Sequence, residues 1–131
     1  MQLLICRFWI VLASFVVIVL SVIPIPETPM QNVPLMDKWV HFVMYGGVAL
    51  AGWFDAWRAP VRAGKACLWL MGVVWPIVLG GLMEIVQGTL TSTRSGDWFD
   101  WLADIVGVLI AVPLAWLFVR PLSRVWNWPK A

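Results

Sequence analysis

Six side chains suited to proton transfer, ion pairing or ligand recognition fall within 21 positions of an otherwise apolar chain: Glu84, Gln87, Arg94, Asp97, Asp100 and Asp104. Asp97, Asp100 and Asp104 are spaced i, i+3, i+7, and Glu84 and Gln87 i, i+3, so each set shares one helix face. Asp37, His41 and Tyr45, spaced i, i+4, i+8, form another stripe. Imidazole titrates near neutrality, which makes His41 a candidate proton carrier or general base, held by Asp37 one turn away. Glu84 with Asp100 would supply the two carboxylates of acid–base hydrolysis, one neutral and one ionised. Arg94 offers a planar fork for phosphate or carboxylate, and the helix start after it adds free amides. Each residue also has a structural role open to it. His41 would lock two helices together, Glu84 and Asp100 would bridge to Arg94, and Asp97 would be an N-cap with Asp100 in the first turn.

The elements that position these groups follow from composition. The chain has 131 residues, 62% hydrophobic and 12% charged, about half the charged share of a soluble domain. This is one domain of the membrane class. Eleven Trp against one Tyr fit rings seated at the headgroup level or packed between helices. Basic residues are scattered beside apolar runs, which excludes a nucleic-acid surface. Four apolar runs predict four transmembrane helices: Leu3 to Ile23, Asp37 to about Trp57, Ala66 to about Gly88, and Asp97 to about Val119. The first run competes with a signal peptide, but Ser21-Val22-Ile23 lacks a small-x-small cleavage pattern. Pro24, Pro26, Pro29 and Pro34 predict a stiff linker. Gly72, Gly80 and Gly81 offer close helix approach, and Pro76 predicts a kink or interruption. Cys6 and Cys67 read as packed thiols with no disulfide.

Orientation follows from charge. With four spans, Arg7, Arg58, Arg62, Lys65, Arg120, Arg124 and Lys130 lie at one end, leaving only Lys38 and Arg94 at the other. The positive-inside rule puts the seven, and both termini, in the cytoplasm. Asp37, His41, Glu84, Gln87, Arg94, Asp97, Asp100 and Asp104 then all occupy the extracytoplasmic end. Apolar surroundings penalise lone charges, so these faces should turn inward and pair, Arg94 with Glu84 or Asp100 and His41 with a facing carboxylate.

The segments D-K-W-V-H-F-V-M-Y at 37–45, E-I-V-Q at 84–87 and R-S-G-D-W-F-D-W-L-A-D-I-V-G at 94–107 resemble the VanZ-like family. The matching positions are Asp37, Lys38, His41, Tyr45, Glu84, Gln87, Arg94, Asp100 and Gly107, and the likeness spans about residues 37–107. Asp104 stands where the family often has Asn. The family is named for an accessory protein of glycopeptide resistance that affects teicoplanin susceptibility. The resemblance implies a small multi-pass protein of the bacterial cytoplasmic (inner) membrane, linked to the cell envelope.

Three functions from different classes are expected. The first is a binding protein whose outward pocket takes an anionic lipid headgroup or a lipid-linked envelope precursor, with Arg94 on the charge. Asp37, Tyr45, Gln87, Asp97 and Asp104 join it in lining the site. The second is a hydrolase or transferase on such a lipid or on a peptidoglycan precursor, using His41, Glu84 and Asp100. The third is a structural scaffold, a homo-oligomer joined through Gly80 and Gly81. No cofactor is expected, and a metal is set aside because Arg94 in the cluster would oppose a cation and no H-E-x-x-H or Cys pair is present.

Overall fold

The computed structural model describes residues 7–24, 29–59, 64–92 and 96–126, and every regular element among them is helical. Four rods make up the fold: α1 (Phe8–Val22), α2 (Met36–Arg58), α3 (Lys65–Leu90) and α4 (Trp98–Val125). A 3-10 turn, Pro29–Asn32, lies in the proline-rich connection before α2. The rods follow the four apolar runs, except that residues 3–6 of the first run lie outside the described residues and α4 continues to Val125 rather than stopping near Val119.

Proline is accommodated without a break. In α3 a π-helical turn at Leu70–Val74 ends two residues before Pro76, and in α4 another at Ala115–Val119 ends two residues before Pro121. A proline ring opposes the carbonyl four positions back and withholds its own N–H, and a widened turn gives that carbonyl room. The interruption expected at Pro76 is therefore a local widening. At its far end α3 is closed by Thr89 and Thr91, whose hydroxyls donate back to the carbonyls of Ile85 (2.6 Å) and Gln87 (2.8 Å), the second of these among the last four that a helix end leaves without an intrahelical donor.

Each helix buries one stripe. In α1 this is Ile10, Ser14, Val17 and Ser21, at the 4-3-4 spacing of a single face. The outward faces are apolar, with Phe15, Val43, Ile85, Leu102 and Leu117 all exposed, while Ser21, His41, Asp55, Glu84 and Asp104 are buried. α3 and α4 are long and apolar enough to cross a membrane; α1 is shorter, and α2 carries more charge at its ends.

The helices approach closely where glycine permits. A Cβ at Gly107 would overlap the Phe42 carbonyl oxygen, which brings α4 directly onto α2. A Cβ at Gly72 would overlap the indole of Trp53. Asp55 accepts a 2.8 Å bond from the backbone N–H of Ile10, so the end of α2 caps the start of α1. Arg58 Nε donates to the Trp126 carbonyl (3.2 Å), so the end of α4 reaches the same end of the bundle. Arg7, Lys65, Arg120 and Arg124 belong to this end too, while Arg62 and Lys130 lie outside the described residues. Here Trp53, Trp57, Trp69 and Trp116 pack ring against ring with centroids 5.1 to 6.3 Å apart, and Arg120 lies 4.5 Å over the Trp116 ring.

Candidate functional site: a buried imidazole among carboxylates

At the opposite end, the start of α2 meets the last turns of α3 and the first turns of α4. Local structure fixes this junction. Asp97 is the N-cap of α4: its backbone is extended and its Oδ1 accepts from the Phe99 N–H at 2.9 Å. The Asp97 N–H itself donates to Glu84 Oε2 at 2.7 Å, which ties α3 to α4. Gly96 lets the chain lie against α3, since a Cβ there would sit 2.6 Å from the Glu84 carbonyl oxygen.

His41 projects from α2 into this junction. Its Nδ1 is 3.0 Å from Asp104 Oδ1 and 3.9 Å from Glu84 Oε1, and its Nε2 is 3.7 Å from Asp100 Oδ2. Its ring stacks on that of Tyr45, centroids 6.0 Å apart. Asp104 is 0% exposed and Glu84 3%. Among the described residues, Glu84 Oε1 and Asp104 Oδ2 accept no hydrogen bond. Asp104 Oδ2 is pressed toward Gly80, where a Cβ would stand 2.5 Å away.

Lys38 closes the outer rim. Its ammonium lies 3.0 Å from Asp37, 3.3 Å from Asp97 and 3.1 Å from Asp100. The described cluster therefore sets five carboxylates (Asp37, Glu84, Asp97, Asp100 and Asp104) against one ammonium and one imidazole. Two groups have metal-ligand character, with candidate atoms inside 4.8 Å: His41, Glu84 and Asp104, all buried, and Asp37, Asp97 and Asp100, which already surround Lys38.

The sequence expectations divide at this point. His41, Glu84, Asp100 and Asp104 come together. Asp37 does not hold His41; its exposed carboxylate pairs with Lys38, and Asp104 reaches the imidazole from α4. Side chains on a helix lean toward its N-terminus, so the Asp37 carboxylate lies at the rim with Lys38, Asp97 and Asp100 rather than down on His41. Gln87 faces the other way, donating to the Ser21 carbonyl (3.0 Å) and docking α1. Tyr45 is fully buried beneath His41. Arg94 and Cys6 lie outside the described residues, and among those residues the cation that meets Asp100 is Lys38. Cys67 is a free, half-buried thiol beside Met71 Sδ. Gly80 and Gly81 pack inside the bundle against Asp104 and Trp101.

Sequence reasoning missed Lys38 as the rim cation and Asp55 as the cap of α1. The D-K pair at 37–38 carried the first signal, since a lysine at an otherwise acidic end needs a carboxylate partner. The second had none, because a cap between helices depends on their relative rotation.

Chemically, one imidazole facing three carboxylates out of contact with the apolar exterior can pass a proton, activate a hydroxyl or water, or hold a cation. No family model, curated protein or solved structure matches the chain.

Proposed function

We propose that the chain is a four-span protein of the bacterial cytoplasmic membrane that hydrolyses or transfers a group on an envelope lipid or lipid-linked precursor. The basic end and both termini face the cytoplasm, and the His41 cluster lies beneath the outer surface. Three things support the membrane reading: two helices of spanning length and hydropathy, an apolar exterior with polar and charged side chains buried inside it, and basic residues at one end. The VanZ-like resemblance of residues 37–107 supports the envelope setting.

One observation carries the reaction class. His41 Nδ1 is held at 3.0 Å by a fully buried carboxylate while Nε2 turns toward Asp100 and the rim. With its Nδ1 proton on Asp104, the imidazole presents Nε2 as the base for a water or hydroxyl entering from the rim. Glu84, fixed through Oε2 by the Asp97 amide, keeps Oε1 as the second proton-exchanging oxygen. Among the described residues carboxylates outnumber cations, which suits proton exchange better than the gripping of an anion and favours chemistry over headgroup binding.

The experiment is reconstitution into vesicles of bacterial lipid extract containing a lipid-linked sugar precursor, with products followed by mass spectrometry. Wild type should release or transfer a headgroup over time, and His41→Gln should not, with helicity unchanged. Turnover surviving in His41→Gln, or none in wild type, would overturn the proposal. Single cysteines at Val33 and Trp126, in a background lacking Cys6 and Cys67, should label from opposite faces of the vesicle.

A further inference from the structure

The buried trio has a feature that proton exchange alone leaves unexplained. Glu84 Oε1 belongs to a side chain that is 97% buried, accepts no hydrogen bond among the described residues, and faces His41 Nδ1 at 3.9 Å. Burying a carboxylate oxygen without a donor is costly, and a cation removes that cost. Ligand spacing agrees. Around a divalent ion with bonds of about 2.1 Å, neighbouring ligand atoms stand about 3.0 Å apart in octahedral and about 3.4 Å in tetrahedral geometry. The His41 Nδ1 separations of 3.0 Å to Asp104 Oδ1 and 3.9 Å to Glu84 Oε1 bracket that range.

The surroundings of these atoms have the form of an outer coordination shell. A histidine that ligates through one nitrogen gives its other N–H to a carboxylate, and ligating carboxylates are themselves hydrogen-bonded. Here Nε2 faces Asp100 Oδ2 at 3.7 Å, longer than a hydrogen bond but within ion-pair reach, Asp100 is held by Lys38 at 3.1 Å, and Glu84 Oε2 accepts from the Asp97 amide at 2.7 Å. Asp104 adds a second oxygen without a donor.

We propose that His41 Nδ1, Glu84 Oε1 and the Asp104 carboxylate bind one first-row divalent cation, with Asp100 and Lys38 orienting the imidazole from outside. One imidazole with two carboxylates selects a zinc- or manganese-type ion over calcium or magnesium, which take oxygen ligands alone. The inference deepens the proposed function, since it assigns a cofactor class to the same side chains. The cation would supply Lewis acidity there when bound; Nδ1 and Glu84 Oε1 would then be ligands with the proton on Nε2, so the base role of Nε2 and the proton-exchange role of Oε1 belong to the metal-free protein.

The test uses full-length protein in detergent, stripped with chelator and titrated calorimetrically with Zn2+ and Mn2+, followed by X-ray absorption of the zinc-loaded form. One equivalent per chain should bind, with a single imidazole and otherwise oxygen in its shell. Glu84→Gln, which keeps the bond from the Asp97 amide, should weaken binding about tenfold or more, as should His41→Gln. Absence of saturable binding, a shell without imidazole, or unchanged affinity in both variants would overturn the site. Should a variant fail to retain helicity, the wild-type absorption spectrum decides alone. The two proposals separate cleanly: turnover that persists in chelator leaves the reaction and removes its metal, and metal binding without turnover leaves the site and removes the reaction.

Discussion

Gly80→Ala tests whether the α3–α4 contact positions Asp104 for His41. Two effects oppose each other. In a helix interior alanine is favoured over glycine by about 1 kcal/mol. Against that, the new Cβ would stand 2.5 Å from Asp104 Oδ2, whereas a carbon–oxygen contact needs about 3.3 Å. The carboxylate must retreat by roughly 0.8 Å, and Trp101, 3.2 Å from the same Cβ, hems the methyl in. A retreat of that size displaces a carboxylate whose Oδ1 stands 3.0 Å from His41 Nδ1, so the length and angle of that hydrogen bond change. Overpacking costs about 1–3 kcal/mol, and a lost hydrogen bond to a charged group about 1.5–3 kcal/mol. Even with partial overlap of the two and the gain in propensity, the variant should be less stable by about 2 kcal/mol. The chain contains its own control: a Cβ at Gly47 meets nothing within 4 Å, so Gly47→Ala should be neutral or stabilising by up to about 1 kcal/mol. Thermal unfolding in detergent compares the three proteins, and the imidazole NMR signals report the His41 contact. If Gly80→Ala matches Gly47→Ala in Tm and leaves those signals in place, the steric argument is wrong.

Asp55→Ala should free the first turn of α1 and cost about 1–2 kcal/mol, with Asp55→Asn recovering most of it, read as Tm and as protease cleavage near residue 10. Lys38→Met removes the ammonium from three carboxylates at a rim that is only partly buried, so the loss should be about 1–2 kcal/mol, below that of a fully buried pair. Raising salt should narrow the difference between Lys38→Met and wild type. Leu35 holds a left-handed φ of 59° at the start of α2, so Leu35→Gly should be stabilising by about 1 kcal/mol in denaturant titration.

The four rods were legible because apolar runs of spanning length, separated by proline or by charge, leave little choice of element. So was the gathering of His41, Glu84, Asp100 and Asp104 at one end, which needs only a count of helix reversals. What spacing could not give was rotation about each axis. Asp37 and His41 lie one turn apart, yet the partner of His41 is Asp104, 63 positions away. Arg94 drew attention as the conspicuous cation in the outer stretch, while Lys38, adjacent to an acid it simply neutralises in sequence, turned out to bridge α2 to α4. Asp55, three positions before Arg58, gives no sign in the sequence that it faces inward onto α1.

The two widened turns have a bearing on register. Each inserts one extra residue into a helical turn, so the portion beyond is rotated by about 100° relative to an unbroken α-helix. In α3 the inward stripe passes from Met71 and Gly72 to Leu79, Gly80, Met83 and Glu84 across that phase jump. The tryptophan-rich end and the His41 end are thus indexed separately. Removing one residue within 70–74 would turn the basic end of α3 about its axis and carry Gly72 off the Trp53 ring, while the Glu84 end kept its own alignment.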